Sequence, residues 1–526
     1  MYLVGIDVLS FLVFAPALGA LVVLLLPQSK ALARWVALGI ATFIGGVSTA
    51  VFFAYNSTVP DYQFVLQVPW FELLGASWHI GIDGVSASMV LLTGLLTPLA
   101  ILISFEIDER VNVHMALLLF FETGLMGTFV ALDLMVFFLF YELSLVPMYF
   151  IINQWGGPNR KYASNKFFIY SLGGSLGMLL ATQLIGFTAG TFDIPTLTQV
   201  WPAFAGEGGV FLGIDVNTVK ALAFLGFFVA FCIKVPVWPF HTWLPDAHSE
   251  APTAGSMLLA GVMLKLGAYG FLRLVIPLFP DVWVADISFL GFTTNFAVIF
   301  AVLAVLGIVL GAFAAFGQTD IKRLVAYSSV NHMGFVAIGL AVAALVYGEQ
   351  YVRGASAQTQ DAIMAMNGAV LQMFNHGLSS AGMFLLAGAI YHKTHTRDMT
   401  QYGGLWVRAP IYGGIFIFTS MASLGLPGLN GFVSEFLVVR GSWPVFTGLT
   451  AIAMIGLLFT GGYILKGIRA VLHGPFNLHW KDYKLEIDLR EFVAIAPLMV
   501  LMLITGLAPN WILSVINATV TRMMGA

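Results

Sequence analysis

Residues 221–277 have the sequence ALAFLGFFVAFCIKVPVWPFHTWLPDAHSEAPTAGSMLLAGVMLKLGAYGFLRLVIP, and this stretch decides the fold. Two apolar segments are joined by the short polar link 241–252, and each carries one lysine, Lys234 or Lys265, near its middle. A lysine at the centre of a bilayer-length helix costs about 3 kcal/mol on insertion scales. Because such residues are rare, they indicate a functional site on an ion or proton path.

The composition of the whole chain is that of a membrane protein. Of its 526 residues, 59% are hydrophobic and only 9% are charged, against about 25% charged residues in soluble domains. The apolar runs are long and continuous, which predicts an all-α polytopic protein and excludes a β-barrel, whose strands alternate. The net charge of -3 gives no reason to expect nucleic-acid binding. The single cysteine, Cys232, cannot build a disulfide or a cysteine-ligated iron–sulfur cluster within the chain.

The apolar runs predict about 14 transmembrane helices at the ~20 residues that each crossing needs. We expect the first run to be a retained span, because it ends in LLLPQSK without a small-residue cleavage site. The connections between spans are too short for a soluble domain. The predicted spans are 4–26, 32–55, 82–104, 112–131, 133–154, 164–189, 219–240, 253–275, 286–316, 320–347, 361–391, 409–441, 444–471 and 491–516.

The distribution of basic residues predicts the orientation of these spans. If the N-terminus lies outside, the odd-numbered links and adjoining span ends hold 16 of the 23 Lys and Arg residues, and the opposite side holds 5. Basic residues concentrate on the cytoplasmic side of membrane proteins. Both termini are therefore expected on the outer side, which is the periplasm in a Gram-negative cell.

Two predicted spans contain helix-breaking residues and lie five spans apart. Span seven contains KVPVWP, and span twelve contains SLGLPGLNGFVSE. Proline removes a backbone donor and glycine loosens a helix, so both spans should be broken. An odd offset reverses the direction of a repeat through the membrane, so the pattern predicts two inverted five-helix repeats with broken helices seven and twelve. The alternative is that these glycines and prolines serve helix packing. The predicted divisions are 1–111, a three-helix segment; 112–275 and 286–471, the repeats; and 472–526, a C-terminal helix.

Three ionisable residues lie deep in predicted spans: Glu142, Lys234 and Lys265. Glu142 follows Asp133 by nine residues, which is about 13 Å along a helix. It is a candidate proton carrier or a partner that tunes Lys234, whereas the plain alternative is a structural ion pair. Burial disfavours the charged form of lysine, so each lysine can store and release a proton, which arginine cannot do. The alternative is that each lysine forms a fixed salt bridge or extends to the membrane surface.

Four histidines and one further carboxylate are weaker candidates. His332 and His376 lie within spans ten and eleven, where they can relay protons or simply join helices by hydrogen bonds. His241 and His248 lie in the link after span seven, either on a proton route or in a water-exposed loop. Glu435 follows the second break, where the positive end of a half-helix can stabilise its carboxylate; an ion pair with Arg440 is the alternative. Neither His332 nor His376 has a metal-ligand companion at i+4, so no metal site is expected.

The chain has no Walker loop and no GxGxxG or HExxH motif. No nucleotide or redox cofactor is therefore expected in this chain, and the driving energy must come through partner subunits. Ion transport rather than scaffolding is the better interpretation because so many ionisable groups are buried.

Four segments together resemble the antiporter-like subunits of respiratory complex I. They are YELSLVPMYFII around Glu142, the long block around Lys234 and Lys265, DIKRLVAYSSVNHMGF, and GLPGLNGFVSEF. The resemblance implies 14 transmembrane helices in two inverted repeats. Glu435 stands where the related L and N types usually have lysine, and the chain lacks the long lateral helix of the L type, so the M type is favoured.

The resemblance also implies roles for the candidate residues. Glu142 and Lys234 would form a charge-coupled pair, Lys265 the central relay, His332 and His376 its continuation, and Glu435 the outlet-side residue. The protein would be a proton-translocating subunit of NADH:quinone oxidoreductase in a bacterial inner membrane, between L- and N-like subunits and beside the lateral helix of the L-like one. Flavin, iron–sulfur clusters and quinone would belong to partner subunits. A cation/proton antiporter subunit, or the membrane arm of a hydrogenase or of a deazaflavin- or ferredoxin-linked relative, remains as an alternative.

Overall fold

The computed structural model describes residues 2–525 except 4, 5, 60, 72, 74, 206–208, 212, 290 and 355, and helices dominate it. The helices of the first half are α1 (Val8–Leu25), α2 (Lys30–Ala54), α3 (Gly84–Ile103), α4 (Val111–Val130), α5 (Leu134–Leu143), α6 (Leu145–Trp155), α7 (Arg160–Ala189), α8 (Ile194–Val200), α9 (Val216–Lys234), α10 (Trp243–Glu250), α11 (Thr253–Leu258), α12 (Leu264–Gly270), α13 (Ile276–Leu278) and α14 (Pro280–Val284). Those of the second half are α15 (Phe296–Gly317), α16 (Ile321–Arg353), α17 (Thr359–Thr394), α18 (Pro410–Leu424), α19 (Asn430–Ser442), α20 (Thr447–Leu472), α21 (Leu489–Leu507) and α22 (Asn510–Met523).

The connections add short antiparallel hairpins that the all-α prediction did not include. The strands are β1 (Tyr2–Leu3), β2 (Ile6–Asp7), β3 (Gln63–Phe71), β4 (Ala76–Ile82), β5 (Val210–Phe211), β6 (Ile214–Asp215), β7 (Ile287–Phe289) and β8 (Phe292–Thr294). The longest pair, β3 and β4, places Leu66 opposite Ile80 and folds the connection 56–81 over one end of the helices. The helical fold class itself is confirmed.

Twelve helices in the described part of the chain are long and apolar enough to cross a membrane. The predicted spans eleven and twelve are not among them, because α17 carries many polar residues and span twelve is divided into α18 and α19. The count of 14 therefore stays a prediction. The predicted start of span one at residue 4 lies outside the described residues.

Both predicted helix interruptions are present, but their limits differ from the prediction. Helix α9 ends at Lys234 rather than near residue 240, because Pro236 has no backbone donor to continue it. The supposed polar link 241–252 contains the buried helix α10. Helix α18 ends before Gly425, whose φ of +83° only glycine adopts readily. The predicted span 491–516 was also wrong in extent, since Pro509 separates α21 from α22.

Matching hydrogen bonds in the two halves support the predicted inverted repeat. In each half, the residues on either side of a capping aspartate exchange backbone hydrogen bonds with the residues on either side of a second aspartate. The caps are Asp133 at α5 and Asp320 at α16, and their partners are Asp193 and Asp398. The bonds are Leu134 N to Phe192 O (2.8 Å), Ile194 N to Leu132 O (2.8 Å), Ile321 N to Arg397 O (3.0 Å) and Met399 N to Thr319 O (2.8 Å). The repeats 112–275 and 286–471 remain a prediction, for which these bonds provide support.

Candidate functional site

Lys265 lies at the centre of the most deeply buried helix of the chain. The most apolar 18 residues of the span Thr253–Leu278 are all buried. Helix α12, which carries Lys265, is flanked by π-helical turns at Leu259–Met263 and Phe271–Val275. The Lys265 ammonium donates to the carbonyl of Ala260, in the first π turn, and to His376 Nδ1 at 2.8 Å. Such turns occur frequently at functional sites, and no pattern in the sequence indicated them.

From His376 a line of polar side chains continues through the second half of the chain, although no hydrogen bond joins His376 to His332 among the described residues. The His376 and His332 rings lie 5.9 Å apart between their centres. His332 Nδ1 is 2.7 Å from Glu435 Oε1, and its Nε2 is 3.3 Å from the hydroxyls of both Ser423 and Tyr463. His376 Nε2 has no partner among the described residues and is therefore available for proton exchange.

Glu435 is buried inside the protein and not at its surface. The amide of Gln372 donates to the same Glu435 oxygen at 3.0 Å. Arg440 instead lies 3.7 Å from Asp361, so the alternative of a Glu435–Arg440 ion pair was wrong. Glu435 is the sixth residue of α19, beyond the first turn where the helix dipole acts. Hydrogen bonds, rather than the helix end, are what hold this carboxylate.

The Glu142–Lys234 pair of the first half has a looser geometry. Lys234 is the last residue of α9, and its Nζ lies 4.7 Å from the centre of the Tyr141 ring, a cation–π contact. Glu142, at the end of α5, is half-buried and interacts electrostatically with Lys234. Within the described part of the chain, however, the ion pairs do not include these two side chains. The two charges face each other without direct contact.

The two lysines lie on helices that pack together closely. Gly267, two residues after Lys265, lies against α9, where a Cβ would come within 2.9 Å of the Lys234 Cβ. No hydrogen bond among the described side chains joins Lys234 to Lys265. Lys234, Lys265 and Glu435 are exposed by only 1%, 0% and 4%. All three therefore lie in the interior, but only Lys265, His376, His332 and Glu435 form a nearly continuous line.

The two histidines after the first break differ in their surroundings. His248 in α10 is fully buried, stacks on Phe384 at 4.4 Å and interacts electrostatically with Lys265. Neither of its ring nitrogens has a hydrogen-bond partner among the described residues. The water-exposed alternative was therefore wrong for His248. His241 is partly exposed, and burial together with nearby Lys166 lowers its pKa.

Several polar residues of the interior were missed by the sequence analysis. Glu122 in α4 is fully buried, and neither carboxylate oxygen has a hydrogen-bond partner in the described part of the chain. Glu142 was identified because it is a single acidic residue in a continuous apolar run. The same criterion would have identified Glu122. Gln372 and Tyr141 gave no comparable signal, because uncharged polar and aromatic residues are common in membrane helices. No cluster of three or more His, Cys, Asp or Glu that could hold a metal occurs among the described residues.

The fold and the buried line define a class of protein: a multi-pass helical membrane protein with ionisable side chains between broken helices. Residues 131–460 match the family model of the transmembrane NADH:quinone oxidoreductase/Mrp antiporter proteins. The chain belongs to this family.

Full-length relatives and a solved structure agree with this assignment. The chain is 38% identical to NADH-quinone oxidoreductase subunit M of Rhodobacter capsulatus, over 98% of this chain and 96% of the relative. It is 39% identical to the subunit M of Pseudomonas aeruginosa, over 99% and 98%. A chain of respiratory complex I from Thermus thermophilus with bound NADH superposes with a TM-score of 0.81 at 27% identity, over 98% of this chain and 100% of that one.

Proposed function

We propose that this chain is a proton-translocating subunit in the membrane arm of an NADH:quinone oxidoreductase. One observation carries the proposal: Lys265, His376, His332 and Glu435 follow one another through the protein interior, with hydrogen bonds at both ends of the line and 5.9 Å between the centres of the two histidine rings. The names of its full-length relatives support the same function. The chain itself performs no redox chemistry in this proposal.

Redox energy reaches this chain as a change in the Glu142–Lys234 separation. At an effective dielectric constant of about 20, moving two unit charges from ~4 to ~7 Å apart changes their interaction by about 2 kcal/mol. This difference changes the protonation equilibrium of Lys234 by more than a factor of ten. Contact between the two charges stabilises the protonated lysine, and separation releases a proton toward Lys265. Lys234 and Glu142 interact electrostatically without direct contact, which supports a variable distance between them.

From Lys265 the proton moves through the second half. The Lys265 ammonium gives a proton to His376 Nδ1 across the 2.8 Å hydrogen bond. His376 Nε2 releases one toward His332, and His332 Nδ1 passes one to the Glu435 carboxylate. Each imidazole accepts on one nitrogen as it donates from the other, so both rings return to their starting state after they reorient. Lys265 regains its proton from Lys234, and Glu435 loses its proton at the outlet.

The proposed surroundings follow from the family. The other membrane-arm subunits lie beside this chain, with L- and N-like subunits as neighbours and the lateral helix of the L-like subunit along one side. Flavin, iron–sulfur clusters and quinone lie in partner subunits. The membrane is the bacterial inner membrane, with both termini on its outer side.

A matched pair of lysine substitutions tests the proposal in the assembled complex. Lys234 and Lys220 are both buried lysines on α9, but Lys220 is held by Pro202 O at 2.7 Å and by Asp281 at 3.4 Å. Arginine keeps the positive charge and cannot release its proton. Lys234→Arg, like Lys234→Ala, should therefore abolish proton pumping coupled to NADH oxidation, whereas Lys220→Arg should retain it. Normal pumping and NADH oxidation in both Lys234 variants would refute the proposed role.

The antiporter alternative is kept because the family model covers both kinds of protein. A cation/proton antiporter subunit would give sodium-dependent proton exchange without NADH oxidation. The genes beside this one would distinguish the two, since antiporter subunits and redox subunits are encoded with their own partners.

A further inference from the structure

We propose that protons leave Glu435 through an amide-lined cleft between α17, α19 and α22, at the end of the helices that is predicted to face outward. This inference rests on the proposed function and names the outlet of the same line. In the step itself, the Glu435 carboxyl becomes a carboxylate and its proton passes to water in the cleft.

The cleft is a cavity of about 370 Å³ whose lining is mixed, with apolar residues Ile363, Met364, Leu437 and Leu513 beside polar ones. Side-chain amides and a hydroxyl supply most of its polar atoms, and it holds no charged side chain among its described lining residues. The polar residues that line it are Gln360, Asn367, Asn510, Ser514 and Asn517. Such a lining can hydrogen-bond water and hydronium without trapping either one, as a fixed carboxylate would.

Asn367 is the innermost polar residue of this lining. It is only 6% exposed, and its Nδ2 donates to Asn517 Oδ1 at 2.6 Å. Its carbonyl oxygen, Oδ1, is buried and has no hydrogen-bond partner among the described residues. A buried amide oxygen without a partner is unfavourable, and an ordered water in a polar cavity is the usual way to satisfy it.

The cleft and Glu435 lie on the same two helices, α17 and α19. Leu437, which lines the cleft, is two residues beyond Glu435 on α19. Gln372, which donates to Glu435, is five residues beyond Asn367 on α17, about 7.5 Å along the axis. Between them, Gly368 lies so close to α19 that a Cβ would be 2.6 Å from Val438 N. A small separation of α17 and α19 at this glycine would join the cleft to the carboxylate.

A second cavity near the same end of the helices is a poorer outlet. It measures about 470 Å³ and is lined by Arg273 and Arg522 as well as Asp61 and Tyr62. Arg273 forms a 2.7 Å ion pair with buried Asp83. Guanidinium groups in a pore repel protons and cations, so the uncharged amide cleft is the better path.

Cysteine labelling in the assembled complex tests the cleft directly. Cys232 is the only cysteine of the chain, so a Cys232→Ala background permits single cysteines at Asn367 and Asn517. Right-side-out vesicles are treated with the impermeant reagent 2-(trimethylammonium)ethyl methanethiosulfonate, and the subunit is then weighed by mass spectrometry. The matched control is Ala369→Cys, on the same helix and at the same depth, because Ala369 is buried against Gly339 of α16.

The expected result is modification of Asn367→Cys and Asn517→Cys from the outer side, at least ten times faster than of Ala369→Cys. Modification at position 367 should also stop proton pumping to the level of Glu435→Gln. Absence of labelling at position 367, labelling only from the inner side, or full pumping after labelling would overturn the outlet. Failure of the proposed function would look different, since pumping would then be normal in Glu435→Gln itself.

Discussion

The two halves of the chain each hold a glutamate beside a basic side chain, but the contacts of the two glutamates differ. The first half holds Glu142 with Lys234, and the second half holds Glu435 with His332. In the second half, hydrogen bonds of 2.7 and 3.0 Å join Glu435 to His332 and Gln372. In the first half, Lys234 lies over the Tyr141 ring and interacts with Glu142 without direct contact. Fixed hydrogen bonds suit repeated proton transfer, whereas two charges with no fixed contact can change their separation. Under the proposed function, coupling would therefore belong to the first half and conduction to the second.

Removing Lys265 should have the largest effect, because this residue adjoins both halves. Lys265→Met keeps the length of the side chain but removes the donor to His376. Protons pumped per NADH oxidised should fall at least tenfold in vesicles containing the complex. The control is Lys220→Met, which removes another buried lysine, near the start of α9, and should keep most of the pumping. Equal losses in the two variants would mean that burial, and not position in the line, decides the result.

Removing the Glu142 charge should have the next largest effect. Glu142→Gln keeps the size and hydrogen-bonding capacity of the side chain but ends its attraction for Lys234. We expect pumping to fall about five- to tenfold, which corresponds to the loss of about 1 kcal/mol or slightly more. Glu142→Asp retains the charge and should restore part of the activity. Identical behaviour of the Asp and Gln variants would contradict a coupling role for the charge.

The aromatic contact of Lys234 should have a smaller effect that is specific to the first half. A cation over an aromatic face is stabilised by about 0.5–2 kcal/mol. Tyr141→Phe keeps this face and should pump normally, whereas Tyr141→Leu removes it and should lower the pumping rate two- to fivefold. The pumping rates of Tyr141→Phe and Tyr141→Leu, measured side by side, check this prediction. A defect of the same size in Tyr141→Phe would assign the effect to the hydroxyl instead.

The smallest effect is expected at the edge of the second half. Ser423 lies 3.3 Å from His332 Nε2, a position that the Tyr463 hydroxyl also reaches. Because one hydroxyl remains, Ser423→Ala should change the pumping rate less than twofold. Ser423→Ala combined with Tyr463→Phe leaves His332 Nε2 without either partner and should cost more than the two single changes together. Strict additivity would show that the hydroxyls do not share this nitrogen.

Much of the fold could be predicted because membrane helices need long apolar runs and proline interrupts them. The breaks at Lys234 and Gly425, and the burial of Lys234, Lys265 and Glu435, follow from these two rules. From the sequence, the residues that lie between Lys265 and Glu435 could be named only as separate candidates, without the contacts that connect them. Which histidine nitrogen faces which partner depends on helix rotation, and apolar spans without a one-sided polar pattern do not specify rotation. Burial of His248 was not predicted because the polar link 241–252 gave no sign of the buried helix α10.

Other features depend on contacts that a linear pattern does not contain. The π turns around Lys265 come from how α3, α9 and α17 pack against that span. The contacts of Lys234 with the Tyr141 ring and with Gly267 are likewise tertiary contacts. These are the features on which coupling would depend.

The most direct test of the account is whether Glu435 gains and loses a proton during turnover. Infrared difference spectroscopy of the assembled complex during NADH oxidation follows the C=O stretch of protonated carboxyl groups. The account predicts a band that appears and disappears with turnover and is missing in Glu435→Gln. A difference spectrum in which that band is unchanged in Glu435→Gln would contradict it.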